Sequence, residues 1–167
     1  MATVDSSTVV RDSEEQLVVF TLGDEAYGVN IEAVNTIIRL PDITCVPHTP
    51  SYVRGVMNLR GVIVPVIDLR LRFGLPVTEA TKATRVVVVE QGGLLVGMVV
   101  DAVTETLRLP AASIEALSPL VISVDSRYLR GVGKIEDRLI ILLALDKVIE
   151  DKEAEQLTTT VDDQNAN

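Results

Sequence analysis

Apolar residues run along this chain in short blocks closed by glycine and proline. Gln16 to Leu22 (QLVVFTL) reads as a strand, Gly23-Asp24-Glu25 as a turn, and Ala26 to Asn30 as the returning arm of a hairpin. Ile31 to Ile38 has apolar residues at 31, 34, 37 and 38, a spacing that predicts about two turns of helix. Pro41, Pro47 and Pro50 punctuate a stretch where neither helix nor central strand is expected. Order resumes over Tyr52 to Leu59 and Gly61 to Asp68. Pro65 lies inside the second block without an N–H to donate, which predicts a sheet edge or a bulge. Leu69 to Phe73 reads as a helical turn closed by Gly74, and Pro76 to Thr84 as a linker. Arg85 to Gln91 and Leu94 to Asp101 make a second hairpin across Gly92-Gly93. Ala102 to Leu109 runs up to Pro110, and Arg127 to Val132 with Arg138 to Leu145 gives a last strand pair. Asp146 is placed to cap a closing helix over 146–157, with Val148, Ile149 and Leu157 as its apolar side. Residues 1–14 and 158–167 read as disordered tails.

The blocks repeat. Residues 16–38 lie on residues 85–107 without a gap: Val18, Val19, Gly23, Gly28, Ala33 and Val34 fall on Val87, Val88, Gly92, Gly97, Ala102 and Val103. Further on, Val53-Arg54-Gly55-Val56 matches Leu129-Arg130-Gly131-Val132. Each half, about 15–80 and about 84–145, therefore has the same order of short strands and glycine turns. Such a unit suits a small closed β barrel, because closure removes exposed edges. Two barrels with a groove between them are expected.

Composition sharpens this to a β-rich fold. Valine alone is roughly one residue in six, tryptophan is absent, and tyrosine and phenylalanine number three and two; β-branched side chains pack well on a pleated surface. The formal charge is −9, but residues 1–15 hold four acids and one base and residues 151–167 five acids and one base. Only about −2 falls on the chain between them, so the acidity belongs to the ends. With a near-neutral centre and few aromatics, a nucleic-acid-binding small barrel is the weaker alternative, and no nucleic-acid partner is expected. No leader is visible, and the longest apolar run, Leu139 to Leu145, is far short of the roughly 20 residues of a membrane helix. A cytoplasmic protein without membrane insertion is expected.

Candidate chemistry is sparse. Cys45 and His48 are the only residues of their kinds, three apart in a proline-rich loop, which leaves no multi-histidine or thiolate metal site and little for nucleophilic catalysis. Gly92-Gly93 leads into a strand and not a helix, so it is a hairpin turn and not a phosphate loop. Asp68 and Asp146 recur at the ends of matching strands, as helix caps would. No catalytic group, cofactor or metal is expected, and the chain is read as a non-enzyme. What stands out is Val53 to Phe73 (VRGVMNLRGVIVPVIDLRLRF), where four arginines sit among aliphatics. Arg60, at a hairpin tip beside Asn58 and Gly61, is expected to bind a partner; Arg70 and Arg72 are expected as solvated surface residues.

Asn58-Leu59-Arg60-Gly61, then Val64-Pro65-Val66 and Asp68-Leu69-Arg70, resemble the signature of the CheW-like domain family. Phe20 to Val29 (FTLGDEAYGV) and Val96 to Val103 (VGMVVDAV) are similar to the same family, and the resemblance covers 15–157 as one domain. It implies a mainly β fold of two tandem, intertwined SH3-like five-stranded β barrels with short helices and a C-terminal helix. It also implies an adaptor that couples the cytoplasmic tips of methyl-accepting chemoreceptors to the regulatory domain of the histidine kinase CheA, in chemotaxis arrays at the membrane. The receptor groove it implies matches Val34, Thr36, Asn58, Leu59, Arg60, Gly97 and Val103, and the kinase contact matches Arg54 and Gly55. Many members carry an acid at the position of Thr36, able to pair with the arginine of the turn; threonine cannot.

Overall fold

The computed structural model describes residues 14–115 and 126–149. Its strands are β1 (Glu14–Leu22), β2 (Glu25–Asn30), β3 (Val34–Arg39), β4 (Val53–Leu59), β5 (Val62–Asp68), β6 (Arg85–Gln91), β7 (Leu94–Val100), β8 (Ala102–Pro110), β9 (Ile114–Glu115), β10 (Leu129–Ile135) and β11 (Arg138–Leu143). One sheet has the order β8-β1-β2-β11-β10-β9 and the other β3-β6-β7-β5-β4. Each sheet thus draws strands from both halves of the chain. The first hairpin, β1–β2, sits among strands of the second half, and the second hairpin, β6–β7, among strands of the first. The sequence repeat at 15–80 and 84–145 and the two sheets are therefore cut differently: the halves have exchanged hairpins.

The exchange is symmetric to the residue. Along β3 and β6, Val34 faces Val89 and Thr36 faces Val88, so Asn35 is an extra residue in its strand. Along β8 and β1, Glu105 faces Val19 and Val103 faces Phe20, so Thr104 is the extra one. Asn35 and Thr104 are equivalent in the repeat. Arg54 and Arg130 form a second such pair, each skipped where its strand meets β5 or β11. The backbone carbonyls of Tyr52 and Tyr128 accept from the N–H of Asp68 and Ala144 respectively, which extends the repeated motif back to a tyrosine.

Three cores explain why the apolar blocks lack alternation: their strands are buried on both faces. Val86 and Val88 point into the five-stranded barrel with Met57, Val64 and Val66. Leu17, Val19, Leu109, Ile140 and Leu142 fill the six-stranded one. The intervening residues, among them Val18, Phe20, Val87, Val89, Met98 and Ile141, meet in a third core between the barrels. Among the described residues, the region between the barrels where a groove was expected is thus packed with side chains over most of its area. At about 2 kcal/mol for each fully buried valine, the four-valine run of β6 is a major anchor of both barrels.

Several expectations are corrected. Only Ile31–Ala33 is helical, as a 3₁₀ turn opened by the Asn30 side chain accepting from Glu32 N–H; Val34–Arg39 is strand β3. After the bulge, Thr36 and Ile38 share one face, and the β-branched residues of this segment suit the ladder with β6. Pro65 lies in an internal strand, but its pairing with β7 begins only at Val66. Val56 opposite Pro65 spends its N–H and carbonyl on Thr44, so the ladder asks nothing of the proline nitrogen. The helix α1 (Leu69–Arg72) is capped by Asp68, whose Oδ1 accepts from Arg70 N–H at 2.9 Å. Its counterpart α2 (Leu145–Val148) has Ala144 at the cap position and no side-chain cap; Asp146 sits one residue inside the helix. The rest of the expected closing helix, from residue 150, lies outside the described residues, as do both expected tails apart from Glu14.

Candidate functional site

The β4–β5 hairpin turns on two residues, Arg60 and Gly61, with φ of 53° and 85°. This left-handed geometry matches the twist of a tight hairpin but costs a non-glycine residue about 1 kcal/mol. Asn58 secures the turn by accepting from Gly61 N–H at 2.9 Å. Arg60 is held exposed at the tip, with Val62 and Ile63 unusually open at 51% and 37%. Leu59 is half-buried against the inner core of its barrel. Asn58 pairs with Ile63 on one face of the hairpin and Leu59 with Val62 on the other, with Arg60 at the tip between them. Sequence reasoning missed Val62 and Ile63 because VIVPVI reads as uniformly buried; the signal was their place directly after a two-residue turn.

The equivalent tip of the other barrel is built differently. There Arg138 grips Glu105 through both guanidinium nitrogens, at 2.7 and 3.3 Å, and holds that carboxyl below its ordinary range. In the repeat the matching positions are Val62 and Thr36. The ion pair that fastens one tip to its edge strand is absent from the other, and among the described residues Arg60 enters no ion pair.

The remaining expected site residues are spread out. Val34 and Val103 lie on β3 and β8, edge strands of different sheets, and both are half-buried against the core between the barrels. Gly97 is inside the five-stranded barrel, where an added Cβ would stand 2.8 Å from Val86 Cγ1 and 3.3 Å from Met57 Cε. Gly28, its equivalent, occupies the same place in the other barrel, 3.1 Å from Ile140 Cγ2. Gly97 thus offers no surface of its own. Gly55 is also buried, at φ 143°, and a Cβ there would collide with the Thr44 carbonyl. Arg54 beside it is exposed on its bulge. Six residues of extended strand separate Arg54 from Arg60, about 20 Å, so the two expected contact regions occupy opposite ends of β4.

Arg70 and Arg72 are structural. Arg70 donates to both carboxylate oxygens of Asp101, at 2.9 Å from Nε and 2.5 Å from Nη2, and to the Pro76 carbonyl at 2.9 Å. Asp101 also accepts from Gly23 N–H at 2.8 Å. The Arg70 hydrogen bonds hold the Asp101 carboxyl below its ordinary range and the guanidinium above its own. Arg72 lies over the rings of Tyr52 and Tyr128, 4.3 and 5.0 Å from their centroids, and donates to the Val148 carbonyl. Phe20, Tyr27, Phe73 and Tyr128 continue the stack at 5.5–5.9 Å spacing, so all five aromatic residues of the chain join one column through the central core. Burial, then the Glu25 carboxylate, pushes the Tyr27 hydroxyl up.

Among the described residues the candidate chemical groups do not come together. Cys45 and His48 are both exposed, and Asp68 and Asp146 line different depressions. Among the described residues no group of three His, Cys, Asp or Glu could hold a metal ion.

Comparison with known proteins agrees with this picture. The family model of the CheW-like domain matches residues 16–153. The chain is similar to "Chemotaxis protein CheW" of Klebsiella aerogenes, 37% identical over 139 residues, covering 83% of this chain and 84% of that protein. It is also similar to "Chemotaxis protein CheW" of Helicobacter pylori, 37% identical over 141 residues, covering 83% and 85%. Among solved structures, the scaffolding protein TtCheW of Thermoanaerobacter tengcongensis superposes with a TM-score of 0.77 at 37% identity, covering 83% of this chain and 94% of that one.

Proposed function

We propose how the work is divided over the surface of this chain, which belongs to the CheW-like domain family and is a non-enzymatic chemotaxis adaptor. The β4–β5 tip receives the helical tip of a methyl-accepting chemoreceptor, and the opposite end of β4, at Arg54, meets the regulatory domain of the histidine kinase CheA. The observation that carries this is the contrast between the two tips: Arg138 is fastened to Glu105, whereas Arg60 stands among Val62 and Ile63 without an ion pair among the described residues. A guanidinium flanked by exposed aliphatics suits an amphipathic helix, whose apolar side packs on one face of the tip, at Val62 or at Ile63, while a carboxylate or helix C-terminus meets Arg60. Val34, Thr36 and Val103 contribute at the margins of the central core, and Gly97 and Gly55 contribute through backbone shape. No described helix is long and apolar enough to cross a membrane; the protein works in the cytoplasm, held at receptor arrays by its partners.

The test is co-sedimentation of the full chain with CheA and receptor-bearing membranes. Arg60→Glu should cut receptor-dependent sedimentation by about tenfold and leave CheA binding intact, a loss in keeping with removing a good interfacial contact. Arg54→Glu should do the reverse. Receptor sedimentation undiminished by Arg60→Glu, in a variant with native amide dispersion, removes the tip from the receptor site.

A further inference from the structure

The two halves differ at the arginine that each leaves out of its strand ladder. In the second half Arg130 is fastened: its Nη2 donates to Glu15 at 2.8 Å, and the Asn30 amide donates to the other oxygen of that carboxylate at 3.5 Å. Strand pairing fixes which residues of the first half stand in their places. Gln16 faces Arg108 across β1 and β8, and Arg85 faces Arg39 across β6 and β3, so the same offset carries Glu15 to Thr84 and Asn30 to Val99. Arg54, Thr84 and Val99 line one depression, as Arg130, Glu15 and Asn30 do. The first half thus has no carboxylate at the position of Glu15 and no amide at that of Asn30. The Thr84 side chain, 7% exposed, serves another purpose: it accepts from Thr81 N–H at 2.8 Å and closes the end of the linker. Of the nearby acids, Asp68 accepts from the Arg70 N–H and Asp101 is held by the Arg70 guanidinium. Arg54 is exposed, and among the described residues neither it nor Glu79, on the linker, enters an ion pair.

We propose that Thr84 decides what Arg54 is available for: a short neutral side chain in the place of a carboxylate keeps the guanidinium open to a carboxylate of the kinase's regulatory domain. This rests on the reading that the Arg54 end of β4 meets CheA, and adds to it the residue that sets the contact and the charge of the group received. Thr84 acts through Arg54 and touches no partner itself. Arg54 and Arg130 stand on equivalent bulges, and the guanidinium fork of each is matched to a carboxylate. In the second half the chain supplies that carboxylate from β1. In the first half the position that would supply it is Thr84, and the guanidinium stays open to a group from outside. The same bulge is a strut in one barrel and a docking point in the other.

The test is a titration of CheA into the full chain, without receptor, for the parent, Thr84→Glu, Thr84→Gln and Arg54→Ala. Glutamate and glutamine have the same bulk and equally lose the bond to Thr81, so the difference between them reads the charge. Thr84→Glu should bind CheA about fivefold more weakly than Thr84→Gln, the loss expected when a surface ion pair captures Arg54. On an Arg54→Ala background the two should bind alike, since their difference runs through Arg54. In the free chain Thr84→Glu, and not Thr84→Gln, should slow exchange of the Arg54 guanidinium protons with water. Equal affinity for Thr84→Glu and Thr84→Gln, or a difference that persists without Arg54, overturns the proposal. If Arg54→Ala binds CheA as the parent does, the placement of the kinase falls and this inference with it. If Arg54→Ala binds more weakly while Thr84→Glu matches Thr84→Gln, this inference falls alone. Glu15→Thr, at a partly exposed position, gives a check that does not depend on the Thr84 variants folding. The Arg130 guanidinium should then exchange as fast as that of Arg54, and continued slow exchange overturns the proposal.

Discussion

A single missing atom decides what Gly97 can do. The family resemblance marked it as a groove residue, yet it faces Val86, Met57 and Val66 inside a barrel. Any side chain there must push these apart, and overpacking of this sort costs about 1–3 kcal/mol. Gly97→Val should therefore lower the urea midpoint of unfolding, and any loss of receptor coupling should track that loss of stability. An unchanged midpoint alongside lost coupling would place Gly97 at a contact after all. Arg60 is the opposite case, legible from its glycine-flanked turn because only an exposed tip tolerates a charge there. Arg70 and Arg72 were not legible as interior partners: Asp101 lies 31 residues from Arg70, and Tyr128 lies still farther from Arg72. Spacing along the chain holds no record of such meetings.

At the scale of elements, the hairpins and the match of Val53-Arg54-Gly55-Val56 with Leu129-Arg130-Gly131-Val132 were readable because apolar blocks and glycine turns are local signals. The segment after Asn30 was misread, since a bulge at Asn35 breaks the period-two pattern and leaves a spacing that imitates a helix. The capping role given to Asp146 failed because the two hairpins are of equal length, each with a two-residue turn, so the position equivalent to Asp68 is Ala144 and Asp146 lies two residues beyond it. Asp101 joins the β1–β2 turn, the β7–β8 junction and α1 through Gly23 and Arg70. Its carboxyl titrates lower in the folded chain than it would in the unfolded one, so its contribution is present above the unfolded value, near pH 4, and fades as the pH falls through the folded value. Asp101→Asn should thus destabilise the protein near pH 7, and the gap to the parent should narrow in acid. A gap that stays constant between neutral pH and the acid limb would show that the charge contributes nothing.

For the molecule as a whole, neither half can fill a sheet alone. β1–β2 needs β8 and β11 on its flanks, and β6–β7 needs β3 and β5. Cleavage between residues 76 and 84, in the exposed linker, should leave two fragments that stay together through native size-exclusion chromatography and part only in denaturant, in one transition. Separation under native conditions would contradict the exchange. That the halves repeat was evident from their matching blocks, but which strands they trade was not, because a repeat fixes the parts and not their partners. The trade has a mechanical consequence for an adaptor. With each lobe threaded through the other and oily packing solid between them, there is no swivel at the waist: a push delivered at one end must reach the other as displacement of the whole body, so the protein serves its assembly as a rivet and not as a joint.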